Sequence, residues 1–251
     1  MTQRGGVALA AFALIATAGS ASADISATVF TITATLDNGA GPSYMFDVAY
    51  DPSNLDGNGN FLWVLGDAVD VVDGNGINVF TLDGASVRIF DDSREGMGVS
   101  HSVALNFQVV AGMSNTVFSV DSAVLSFAAL SNSLGRATAA VTLTDLNGDG
   151  ATYTPAAVGA YSAFYNTGTN FQDLITSPVT AAANSTTITD DVFPATGFAN
   201  IGTTLTDIEA SWNFTLSAGD LAAGTSNFEV IPAPASAVLG LVALAGLRRR
   251  R

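Results

Sequence analysis

The one stretch of the chain with metal-ligand spacing is Asp145-Leu146-Asn147-Gly148-Asp149-Gly150. Oxygen-bearing side chains at positions 1, 3 and 5, with glycine at 6, make the opening half of a calcium loop. Hard oxygen ligands wrap the ion and the glycine permits the sharp turn. Asp145, Asn147 and Asp149 are therefore the candidate ligands, and calcium is the cation their chemistry would take. The second half of the motif does not follow. Position 12 is Ala156, where a bidentate carboxylate should close the shell, and position 11 is Pro155. The flanking stretch 137–143 reads as a strand and not as a helix. A β-hairpin turn has the same composition for reasons of backbone geometry, and a bare turn is the favoured reading. A second acidic knot, Asp51, Asn54, Asp56, Asn58 and Asn60, offers oxygens at similar density. Asp91, Asp92 and Glu95, with Arg94, read as a solvated turn.

Catalysis finds little material, and no catalytic residue is assigned. The chain has no cysteine and no lysine, which removes thiol nucleophiles and Schiff-base chemistry. One histidine, His101, is too few for a multi-histidine zinc site. A serine triad would have to use His101 as its base, yet no Gly-x-Ser-x-Gly elbow surrounds a candidate nucleophile. His101 is expected to be a partly exposed strand residue. A carboxylate pair of the glycosidase kind remains open among 22 acids, with nothing to single out two of them. No phosphate loop or dinucleotide fingerprint is present. Trp63 and Trp212 fall in phase with apolar neighbours and read as core. Tyr161 and Tyr165 lie in a loop-rich region, so they are the candidate glycan contacts.

The elements that must position these residues are strands. In 25–36, Phe30, Ile32 and Leu36 alternate with Thr31, Thr33 and Thr35. In 207–216, Ile208, Ala210, Trp212, Phe214 and Leu216 alternate with polar residues. Period two means one buried and one wet face on an antiparallel strand. Further strands are expected at 44–50, 61–65, 68–72, 77–82, 86–90, 102–110, 116–128 and 137–145. Asn-Gly and Asp-Gly pairs punctuate them, including Asp83-Gly84, and supply the positive φ of tight turns. Asp56-Gly57-Asn58-Gly59 recurs as Asp73-Gly74-Asn75-Gly76, which is turn chemistry and not a solenoid repeat. The spacing predicts an all-β protein, an antiparallel β-sandwich of jelly-roll-like kind, as a single domain over 24–230. Residues 155–200 read as long loops with room for a short helix or strand, and as the seam if the body is instead cut into two small domains.

Both ends have their own character. Arg4, an apolar stretch over 7–18 and Ala21-Ser22-Ala23 have the layout of a secretory signal peptide, 1–23, cut between Ala23 and Asp24. Its apolar stretch is expected to be helical. At the other end, Pro232-Ala233-Pro234 precedes an apolar run, 235–247, predicted helical, and then Arg248, Arg249, Arg250 and Arg251. Arginines after an apolar run are held on the cytoplasmic side of a membrane. The run is shorter than the ~20 residues that span a bilayer comfortably.

The order proline pair, short apolar helix and arginine cluster resembles the PEP-CTERM sorting signal of bacterial surface proteins, with Ala233 where that family usually carries glutamate. The resemblance covers 231–251 and implies processing by an exosortase-like sorting enzyme, after signal peptidase has acted at the other end. It further implies transient residence in the inner membrane and a final place at the cell surface or in the extracellular matrix. Without its two ends the chain keeps Arg88, Arg94 and Arg136 against 22 acids, a formal charge of 3 − 22 = −19. Such a surface repels phosphate backbones, so nucleic acid is not an expected partner. The expectation is a non-enzymatic, exported surface or matrix protein with no cofactor unless calcium. The alternatives are a carbohydrate-binding module that takes up envelope polysaccharide, calcium-dependent or not, and, behind it, a secreted glycan hydrolase.

Overall fold

The computed structural model describes residues 24–94, 98–156 and 158–233, the side chains of 92–94, 98 and 99 excepted. Pro232 lies within this range. Ala21, Ala23, Pro234, Arg248, Arg249, Arg250 and Arg251 lie outside the described residues. Among the described residues, no helix is long and apolar enough to cross a membrane.

The strands in chain order are β1 (Asp24–Ile25), β2 (Thr28–Thr35), β3 (Ser43–Ala49), β4 (Phe61–Val64), β5 (Val69–Val72) and β6 (Asn78–Arg94). Next come β7 (Gly98–Ala111), β8 (Thr116–Ser122), β9 (Leu125–Leu130), β10 (Ser133–Thr144), β11 (Ala151–Pro155) and β12 (Tyr161–Tyr165). The last six are β13 (Thr169–Leu174), β14 (Val179–Ala181), β15 (Thr186–Phe193), β16 (Ala199–Asn200), β17 (Leu205–Leu216) and β18 (Leu221–Pro232). They form two sheets, of ten and eight strands, antiparallel at every described pairing.

In the ten-stranded sheet β17 is the spine. Along one edge it pairs β9 and then β8; along the other it pairs β12 and then β11. Its alternation places Ile208, Ala210, Trp212, Phe214 and Leu216 on the buried face, as the sequence pattern predicts. The eight-stranded sheet runs β15-β10-β18-β7-β6-β4. The two sheets face each other as a sandwich. Phe107 of β7 meets Trp212 edge-on at 5.4 Å and stacks on Phe214 at 5.5 Å, and Phe80 of β6 meets Phe118 of β8 at 5.5 Å. A polar bolt crosses the same gap: Trp212 Nε1 donates to Ser226 Oγ at 3.0 Å, and that hydroxyl donates to the Leu105 carbonyl at 3.2 Å. Leaving a buried indole N–H unpaired costs about 1–3 kcal/mol, so the bolt fixes which residues of the two sheets lie opposite.

Four expectations need correction. Residues 77–82 and 86–90 are one strand, β6; Asp83-Gly84 makes no hairpin but a bulge, where the register against β7 shifts between Leu82 and Gly84. The expected strand 116–128 breaks into β8 and β9 around Ala123. Residues 155–200 are not long loops but hold β12 to β16. Their strands lie towards the margins of both sheets, where only a thin apolar face is required. Thus, among the described residues, β15 pairs with β10 alone, and its Ile188 is 70 % exposed. The folded body also runs past residue 230, because Pro232 pairs with Ser133 and the Ala233 N–H donates to the Asn132 carbonyl.

Candidate functional site

Asp145 ends the pairing of β10, and the turn to β11 folds around its carboxylate. Its oxygens accept the N–H groups of Gly148 and Gly150 at 3.1–3.2 Å, and that of Asn184. Gly148 and Gly150 take φ of +87° and +94°, as the sharp turn demands. Asn147 engages both ends of its amide: Oδ1 accepts the Asp149 N–H at 3.0 Å and Nδ2 donates to the Ala218 carbonyl at 2.9 Å. Its oxygen thus keeps one lone pair beyond the bond it makes within the turn.

The contact from Asn147 docks the β10–β11 turn on the β17–β18 turn, and this delivers a third carboxylate. Asp145, Asp149 and Asp220 offer oxygens that all lie within 4.8 Å of one another. Asp145 and Asp220 are buried while Asp149 is exposed. Asp220 accepts a hydroxyl bond from Ser217 and the Leu146 N–H. The two buried acids titrate in opposite directions. The Asn184 N–H, with those of Gly150 and Gly148, holds Asp145 below the ordinary carboxylate value despite its burial. Burial pushes Asp220 up, and the neighbouring Asp145 and Asp149 push it further. The sequence pattern found Asp145 and Asp149 but missed Asp220. Position 220 lies far along the chain, and the local Ser-Ala-Gly-Asp run signals only a turn.

The second knot separates into independent turns. Asp51 caps the 3-10 turn Pro52–Asn54 by accepting the Ser53 N–H at 2.9 Å. Asp56 accepts the N–H groups of Asn58 and Asn60 at 2.8 and 2.9 Å. Asp73 repeats this with Asn75 and Ile77 at 2.8 and 2.9 Å, so the recurrent tetrapeptide is one turn used twice.

His101 is not partly exposed. It is buried, stacked flat on Phe127 at 3.9 Å, with Nδ1 3.2 Å from Asp91 Oδ1. Asp91 is accordingly a strand residue opposite His101 and not part of a solvated turn. Burial lowers the His101 pKa, and the Asp91 carboxylate opposes that.

The two tyrosines part company. Tyr161 is fully buried, packed on Trp212 at 5.2 Å, and has no face to offer a sugar. The alternation of β12 turns Tyr161 to the core, a constraint that a loop would not impose. Trp212 is core as expected, and Trp63 packs against the core beside Phe30 at 5.3 Å. Tyr165, at the end of β12, is half-buried. With Asn170, Phe171, Phe193, Asn200 and Ile201 it lines an open cleft of about 230 Å³.

No family model matches the chain, and no curated protein matches it. Among solved structures it is similar to a chain of the broad bean stain virus particle, at 10 % identity and a TM-score of 0.22, covering 87 % of this chain and 89 % of that one. It is similar also to a chain of infectious bursal disease virus, Gx strain, at 13 % identity and a TM-score of 0.19, covering 81 % of this chain and 55 % of that one. A T13 particle of the same virus gives 13 % identity, a TM-score of 0.19, and coverage of 82 % and 63 %. Likeness at this level supports no inference about what the chain does.

Proposed function

We propose that this chain is an exported protein of the cell surface or extracellular matrix, delivered by its N-terminal segment and sorted through its C-terminal one. Its working part is an acidic β-sandwich without a catalytic role. One observation supports the reading above others. β18 lies between β10 and β7, inside the eight-stranded sheet, and ends at Pro232, the first proline of the tail motif. A cut on the C-terminal side of Ala233 removes the tail and leaves every pairing of β18 in place. A cut inside β18 would open the sheet at its middle. The junction between body and tail thus falls where a processing enzyme can act without unfolding its substrate.

Surface accessibility in the host tests this. The protein should be digestible by protease added to intact cells, and a chain lacking Arg248, Arg249, Arg250 and Arg251 should stay with the inner membrane, protected. Equal accessibility of the two forms would remove the sorting role of the tail. Protection of both would remove the surface location.

A further inference from the structure

We propose that the Tyr165 cleft binds one ring of an uncharged polysaccharide. This names a partner for the surface protein inferred above, but the cleft is argued from its own geometry. It lies where the margins of the two sheets meet: Tyr165 and Phe171 come from β12 and β13 of one, Phe193 and Asn200 from β15 and β16 of the other. Its apolar floor is held firmly. Phe171 stacks on Phe228 at 5.1 Å and meets Phe193 edge-on at 5.6 Å. Gly135 of β10 lies beneath: a Cβ there would stand 2.9 Å from Ile201 Cδ1 and 3.0 Å from Phe171 Cζ. The missing side chain lets both residues settle onto the β10 backbone and sets the depth of the cleft.

Around that floor stand polar atoms of both kinds with bonding capacity to spare. Asn170 Nδ2 donates to Asp173 Oδ1 at 2.8 Å, which fixes the amide and leaves its oxygen as an acceptor. Asn200 Oδ1 accepts the Gly202 N–H at 2.9 Å, which fixes that amide and leaves its nitrogen as a donor. The Tyr165 hydroxyl has no hydrogen-bond partner among the described residues and can do either. Sugar hydroxyls donate and accept at neighbouring carbons, while the ring carries apolar C–H faces. An aromatic wall with fixed amides complements both. The charge of the ligand also follows. Among the described residues no arginine lines the cleft, Asp173 stands beside it, and the body is strongly acidic, so uronates and sulfated sugars are repelled. At about 230 Å³ the cleft is smaller than the roughly 300–1,000 Å³ of pockets that enclose a drug-sized ligand, so it takes one ring of a longer chain.

Retardation of the full-length protein in gels containing soluble neutral β-glucan, α-mannan or dextran, with alginate as the anionic contrast, tests the proposal. At least one neutral polymer should retard it, alginate should not, and chelator should change nothing, because the cleft is separate from the Asp145 loop. Tyr165→Ala and Asn200→Asp should each weaken retention roughly tenfold or more. Gly135→Ala, which keeps every polar group, should weaken it by displacing Phe171 and Ile201. A thermal melt of each variant separates lost binding from lost folding, and Asn200→Asp, at an exposed site, should melt as the parent does. Retention unchanged in Asn200→Asp and Tyr165→Ala, preference for alginate, or no retardation by any neutral polymer would each overturn the assignment. None of these results bears on the tail, whose role is read from surface accessibility alone.

Discussion

Asp220 and His101 are both titratable groups carried into the interior, and each gives stability a pH dependence. The Asp220 carboxyl is raised by burial and by Asp145 and Asp149. The folded state therefore holds its proton better than the unfolded chain does, and this group withdraws stability as pH climbs from the ordinary carboxylate value of 3.8 through the raised one. Asp220→Asn should accordingly raise the thermal midpoint at neutral pH in chelator; an unchanged or lower midpoint would show the carboxylate to be at ease. His101 works the other way. Its lowered pKa means the unfolded chain binds the proton more readily, so stability is lost as pH falls below the ordinary value of 6.5. His101→Gln should flatten that part of the stability profile, measured by denaturant midpoints at stepped pH. Legibility at this scale followed sequence distance. Asp145 could be read because its turn partners Gly148 and Gly150 are neighbours in the chain. Asp220 could not, because only the docking of two turns through Asn147 brings it close. His101 looked half-exposed because its shield, Phe127, comes from the other sheet.

Among the elements, β17 and β18 belong to facing sheets, and Gly224 shows how tightly the core between them is filled. It pairs directly with Phe107, whose ring lies across it; a Cβ at 224 would stand 2.3 Å from Phe107 Cε1. Phe107 cannot move freely, since it touches Trp212 and Phe214. Gly224→Ala should therefore destabilise the protein by about 1–3 kcal/mol, the usual cost of overpacking, read as a lower denaturant midpoint at unchanged slope. Strands with a full apolar face were legible, as in β2 and β17. Those of 155–200 were not, because a marginal strand such as β15, Thr-Thr-Ile-Thr-Asp-Asp-Val-Phe, needs few apolar residues and resembles a loop in composition. Asp83-Gly84 misled for a related reason: glycine serves a bulge as well as a turn, and only the partner strand decides.

At the scale of the molecule, charge is the main feature. The outer face of the ten-stranded sheet carries Asp47 on β3, Asp121 on β8, Glu209 on β17 and Asp173 on β13, and Glu209 is pushed up by burial, then by Asp121 and Asp207. With three arginines against 22 acids over 24–233, self-repulsion is large, and added salt screens it. The thermal midpoint should rise between low and ~0.15 M ionic strength, where the Debye length is about 8 Å; a midpoint independent of salt would mean the repulsion is already neutralised. The sandwich class was legible from alternation and turn spacing, whereas the pairing order needed contacts between distant strands. The tail remains the centre of the functional account, and intact mass of the protein from its host tests it most directly. The account predicts an N-terminus at Asp24 and a C-terminus beyond Ala233 that lacks the four arginines. A mass that retains the apolar run and Arg248, Arg249, Arg250 and Arg251 would contradict it.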